Sequence, residues 1–75
     1  MAKTAKGLVI CVKNDGYGVS LERRKLYVSI TDPEAERHEL LRIVDESGED
    51  FPYPRKFFVP VELPQSIRRA VLLAA

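Results

Sequence analysis

Tryptophan is absent from this chain, and cysteine and methionine occur once each, as does histidine. With Cys11 as the only cysteine no intrachain disulfide forms, so 75 residues must fold without staples. One cysteine and one histidine also exclude a structural zinc site, which takes four such ligands. They leave a single nucleophile–base pair to consider, Cys11 with His38. Cys11 lies in an apolar run, where a free cysteine behaves as a small hydrophobe, and His38 lies in a charged segment. Nothing in the sequence brings the two within hydrogen-bond reach. Long apolar runs are lacking too. Leu8-Val9-Ile10-Cys11-Val12 is too short for the core of a signal peptide, and Val71-Leu72-Leu73-Ala74-Ala75 is far short of the ~20 residues of a membrane span. The expectation is a cytoplasmic protein with no membrane partner.

Excess charge of one sign is missing as well. Twelve Lys+Arg stand against 11 Asp+Glu, a net charge of +1, without the basic balance of a polyanion-binding domain. Gly16-Tyr17-Gly18 has no third glycine and no helical pattern after it, so it is not a phosphate-binding loop. The acidic run Asp45-Glu46-Ser47-Gly48-Glu49-Asp50 lacks the twelve-residue register of a calcium loop. No catalytic residue, no metal ligand set and no cofactor emerges, and the chain is read as a non-enzyme.

What is present is a set of short β-rich runs, with 45% of the residues hydrophobic. Leu8-Val9-Ile10-Cys11-Val12 reads as a strand ending in a loop rich in turn formers over residues 13–18. Leu26-Tyr27-Val28-Ser29-Ile30-Thr31 alternates with period two, which predicts Leu26, Val28 and Ile30 inward and Tyr27 outward. Residues 32–38 form a loop or one helical turn behind Pro33. Leu40-Leu41-Arg42-Ile43-Val44 is a third strand, with Leu41 and Ile43 inward, and Gly48 supplies a positive φ for the hairpin after it. Phe51 and Tyr53 open a fourth strand confined to an edge by Pro52 and Pro54, which have no N–H to donate. Phe57-Phe58-Val59-Pro60-Val61 is the fifth. Two or three of Phe51, Tyr53, Phe57 and Phe58 belong to the core, since a core without tryptophan needs large side chains. A helix follows, with Pro64 at its first position and Ile67, Ala70, Val71 and Ala74 on one stripe.

The order is strand, long polar loop, strand, loop, strand, tight hairpin, strand, proline-containing turn, strand. In this order, and in Pro54-Arg55-Lys56-Phe57-Phe58-Val59-Pro60-Val61, the chain resembles the SH3-like small barrels over residues 7–63. Residues 21–30 are similar to the end of that family's long loop and its next strand. The chain also resembles very short bacterial proteins of that fold. The resemblance implies a mainly all-β chain: a flexible tail over 1–6, a five-stranded SH3-like barrel over 7–63 and a C-terminal helix over 64–75. It does not imply polyproline recognition. Where the signalling members carry the groove tryptophan this chain has Glu39-Leu40-Leu41, the first strand carries none of their tyrosines, and Phe57 replaces a groove tyrosine.

Charge is unevenly spread. Residues 1–30 carry six Lys/Arg against two Asp/Glu, residues 31–52 two against eight, and residues 53–75 four against one, giving balances of +4, −6 and +3. The leading expectation is a binding module whose partner is another protein, reached through the loop around residues 14–18, with Tyr17, Tyr27, Arg55 and Lys56 as candidate ligand-binding residues. The alternative is weak nucleic-acid binding through Lys13, the Arg23-Arg24-Lys25 run, Arg55, Lys56, Arg68 and Arg69, with Tyr17 and Tyr27 stacking on bases. Against it stands internal neutralisation, because in an SH3-like barrel residues 23–25 lie beside the acidic hairpin 45–50. A monomer or a homodimer through the C-terminal helix is the expected assembly. The terminal Leu73-Ala74-Ala75 resembles the end of the bacterial tag that marks stalled polypeptides for degradation.

Overall fold

Runs of β-branched and aromatic residues separated by turn formers become strands where their polar backbone finds a neighbour. The computed structural model describes residues 6–74. In it β1 (Lys6–Cys11), β2 (Leu26–Ile30), β3 (Leu40–Val44), β4 (Asp50–Pro54) and β5 (Phe58–Pro60) form one antiparallel sheet, ordered β4-β3-β2-β1-β5. A short helix α1 (Pro33–Arg37) joins β2 to β3, a 3-10 turn (Arg55–Phe57) joins β4 to β5, and α2 (Gln65–Ala74) closes the chain. The sheet is open. Strands β4 and β5 are its edges and no ladder joins them among the described residues, so the closed barrel expected from the sequence is not formed by hydrogen bonds. Both edges are poor in donors: β4 carries Pro52 and Pro54, and β5 is three residues long with Pro60 at its end.

Register decides which side chains share a face. Val9 lies opposite Tyr27, Cys11 opposite Phe58 and Leu41 opposite Tyr53, and these residues face a core that also takes in Leu21, Ile43 and Phe57. Leu8, Val28 and Val44 are aligned on the other face, where Val71 of α2 approaches them. The alternation read for β2 is therefore inverted. Tyr27 is 5% exposed and Leu26 is 38% exposed, although Val28 is buried too. Alternation separates two faces but does not say which is the core. Here both are covered near Val28, and the larger ring takes the central side because its hydroxyl finds partners there. The inward pair Leu41 and Ile43 holds, and Tyr53, Phe57 and Phe58 are buried while Phe51 is half exposed.

Asp32 caps α1, its Oδ1 accepting from the amides of Glu34 (3.1 Å) and Ala35 (3.2 Å), with Pro33 in the first helical turn. Pro64 precedes α2 instead of opening it, and its carbonyl accepts the Arg68 amide at 2.8 Å. The expected stripe on α2 is rotated: Arg68, Val71 and Leu72 are half-buried, whereas Ile67 and Ala70 are exposed. The reason lies at Arg68, whose Nη2 donates to the Lys6 carbonyl at 2.7 Å and turns that side of the helix to the sheet. Of the expected tail, residues 1–5 lie outside the described residues and Lys6 already belongs to β1. Ala75 of the terminal Leu-Ala-Ala also lies outside them.

Two non-glycine residues take left-handed backbone, Arg24 (φ 71°) and Glu39 (φ 60°). Such a conformation costs an L-residue roughly 1–2 kcal/mol. Glu39 is exposed, so little else is lost on replacing it. Glu39→Gly is expected to raise stability by about 0.5–1 kcal/mol in urea denaturation, after the larger backbone entropy of glycine in the unfolded chain is subtracted. An equal loss would show that the backbone there is not strained.

Candidate functional site

The long connection over residues 12–25 is a built loop. The amides of Val12 and Lys13 donate to the Phe57 carbonyl (2.7 and 3.3 Å), tying the loop's start to the 3-10 turn. A turn at Gly16 (φ 82°) brings the Tyr17 amide to the Asn14 carbonyl (2.8 Å). The Tyr17 carbonyl accepts from Ser20 and Leu21 (3.0 and 2.9 Å), and Asn14 Nδ2 donates to the Leu21 carbonyl at 3.0 Å. Leu21, wholly buried, anchors the loop in the core.

These bonds present Tyr17. Its side chain remains 42% exposed, yet its ring lies edge-on to Tyr53 at 5.0 Å and to Phe57 at 6.0 Å between centroids. Phe58 backs the group at 6.5 Å from both Tyr53 and Phe57. Edge-to-face pairs at these separations are favourable beyond their area, so the exposed ring stands on a fixed support. The support is pinned in turn by Asp45, a buried carboxylate that accepts from the Tyr53 hydroxyl and from the amide of Ser47 (2.9 Å) and its hydroxyl. Burial pushes the Asp45 carboxyl up, but the Ser47 and Tyr53 hydrogen bonds together hold it below the ordinary value. Val19 at the loop tip is 95% exposed and Val12 is 43% exposed.

The other expected site residues separate. Tyr27 is not a surface contact: its hydroxyl donates to Glu46 Oε2 (2.6 Å) and accepts from the Glu22 amide (2.7 Å). Burial, followed by the hydrogen bond to Glu46, raises the Tyr27 phenol well above its usual pKa. Lys25 Nζ reaches the same Glu46 oxygen at 2.6 Å and stands 5.8 Å from the Tyr27 ring centroid. The Lys25 hydrogen bond, then that of Tyr27, lowers the Glu46 carboxyl. The basic run thus meets the acidic hairpin through Lys25 alone. Arg23 and Arg24 form no ion pair among the described residues, while Arg42 takes Asp50 (2.9 Å) and Asp32 (2.7 Å). Lys56 is exposed beside Phe57 in the 3-10 turn. Arg55, from the same turn, lines a separate cavity at the open end of the sheet with Leu41 and Phe58.

Cys11 is wholly buried with its thiol donating to the Lys13 carbonyl at 3.1 Å, and burial raises its pKa. His38 is exposed beside Glu34. Among the described residues no three His, Cys, Asp or Glu side chains are grouped to hold a metal ion, and no helix is long and apolar enough to cross a membrane. The roles of Asp45 and Glu46 were not drawn from the sequence. For Asp45 a signal exists: Asp-x-Ser-Gly is a side-chain-capped turn, and its carboxylate needs that turn's donors wherever it is buried. No protein-family profile matches the chain, and comparison with curated proteins and with solved structures gives no significant match.

Proposed function

We propose that the protein is a small non-enzymatic binding module of the SH3-like barrel type that engages another protein through the face centred on Tyr17. The strand order, the long connection over 12–25 and the proline-led 3-10 turn into β5 support the SH3-like reading. The observation that carries the function is the Tyr17 ring, nearly half exposed while held edge-on by two buried aromatics. A rigid aromatic with one free face loses little entropy on binding, which is what an interface anchor requires. Lys13, whose amide donates to the Phe57 carbonyl, and Lys56, next to Phe57 in the chain, are both exposed. In the loop four cations stand against Asp15 and Glu22, so the matching surface is apolar with carboxylates at its rim.

Peptides selected from a displayed library against the intact protein test this. Tyr17→Ala should weaken the selected peptides at least about tenfold, near 1.4 kcal/mol, with the urea midpoint little changed. Peptides that bind the variant equally well would overturn the assignment. Nucleic acid is the alternative partner, although Glu46 neutralises Lys25 and the core holds Tyr27, removing one cation and one stacking ring. Retardation of single- or double-stranded probes at low salt, with no selectable peptide, would favour it. A second copy bound through α2 is the remaining possibility, and sedimentation as a monomer at high concentration would remove it.

A further inference from the structure

The core does not fill its own open end. On the inward face, the β1–β2 pair Val9–Tyr27 is followed by Gly7–Ser29, the two smallest partners in the ladder. A Cβ on Gly7 would stand 3.0 Å from Ser29 Oγ, so the two residues approach each other closely there. Beyond them lies a cavity of about 600 Å³, within the size range of small-molecule sites. Leu41 and Phe58 form its apolar wall, and the Val61 amide, donating to the Leu8 carbonyl at 3.0 Å, holds the segment after β5 against β1 as a second wall.

Three charged side chains line this cavity: Arg55, Arg68 and Glu62. None of them forms an ion pair among the described residues, unlike Lys25, Arg37 and Arg42 elsewhere on the surface. The Arg55 backbone and the Arg68 guanidinium are each held from outside the cavity. The Arg55 amide donates to the carbonyl of the left-handed Glu39 at 3.0 Å, and Arg68 is tethered through Nη2 to the Lys6 carbonyl. Two guanidinium groups and one carboxylate leave a local charge of +1 beside an apolar hollow. That combination matches one anionic head on an apolar body, and a guanidinium fork suits a carboxylate.

We propose that this cavity binds a small apolar carboxylate, its chain against Leu41 and Phe58 and its head between Arg55 and Arg68. The site is distinct from the Tyr17 face and stands or falls independently of it.

Decanoate, decanol and decyltrimethylammonium, each titrated into the isotope-labelled protein, distinguish the head-group requirement. Decanoate is expected to give saturable amide shifts at Gly7, Ser29 and Val61 with a dissociation constant below about 1 mM, and the other two at least about tenfold weaker binding. Arg55→Gln and Arg68→Gln together should weaken decanoate at least about tenfold, Glu62→Gln should tighten it, and Arg69→Gln, outside the cavity, should leave it unchanged. Dispersed amide spectra show that each variant remains folded. Equal affinity for decanol, no effect of the arginine substitutions on a folded protein, or no saturable shift would each overturn the proposal.

Discussion

Ile43→Ala is expected to destabilise the protein by about 3–4 kcal/mol, the middle of the range for deleting a fully buried branched side chain. Ile43 has no solvent exposure, belongs to β3 and is paired with Ser29 on one side and Phe51 on the other. Sheet backbone on both flanks prevents the surroundings from collapsing into the space, so the cavity penalty adds to the lost transfer energy. A domain of this size has about 4–11 kcal/mol in total at ~0.05–0.15 kcal/mol per residue, so the change removes about a quarter of it or more. Urea denaturation should show a lower midpoint with an unchanged slope. Phe51→Ala is the control: the larger side chain lies opposite Ile43 in the ladder but is 44% exposed, and should cost about 1–2 kcal/mol, since less apolar area leaves water-free packing. Equal losses at the two positions would contradict the assigned core.

Asp45→Ala should cost about 2–4 kcal/mol, because it takes the acceptor from the buried Tyr53 hydroxyl, which then keeps only Ser20, and uncaps the hairpin turn at once. Adding Tyr53→Phe to that variant should recover about 1 kcal/mol by removing a buried donor that has lost its acceptor. The same carboxylate makes the fold acid-sensitive. Its folded pKa lies below the unfolded one, so its contribution is complete above the unfolded value, near 3.9, and is lost as pH falls through the depressed folded value. Asp32, lowered first by the Arg42 hydrogen bond, and Glu46, lowered first by Lys25, act in the same direction. Thermal melts should fall steeply below about pH 4, and less steeply in Asp45→Ala. At the alkaline end the sign reverses. Tyr27 and Tyr53 have raised folded pKa values, chiefly from burial, so their contribution is complete below the unfolded value near 10 and declines as pH rises toward the folded values. Because Tyr53 carries the Tyr17 ring, Asp45→Ala should also weaken any peptide that depends on Tyr17.

Much of the architecture was legible residue by residue. Pro52 and Pro54 place their strand at an edge because proline lacks an N–H, and β4 is the sheet's edge. Gly48 marks the hairpin, and its φ is 86°. Leu41 and Ile43 face the core as their spacing requires. The candidate site was less legible. Tyr17, between two glycines of a loop, and Tyr27, on the Ser29 and Thr31 side of an alternating strand, both read as surface residues in the sequence. They diverge because Tyr27 has Glu46 and the Glu22 amide waiting in the interior, and Tyr17 has only ring edges beneath it. Arg55 and Lys56 are adjacent, yet a turn with three residues per repeat sends neighbouring side chains in different directions. Arg55 lines the cavity and Lys56 flanks Phe57.

The sequence by itself determined the strands, the turns and the absence of a disulfide or of a Cys/His zinc site, since each follows from backbone donors, side-chain branching or simple counts. Only the tertiary structure decided the face on which Tyr27 lies, the rotation of α2 about Arg68, the carboxylate that holds Tyr53 and the hollow beyond Gly7 and Ser29. Each of these depends on which groups meet across the sheet, and a period of two or 3.6 residues carries no information about the partner on the far side.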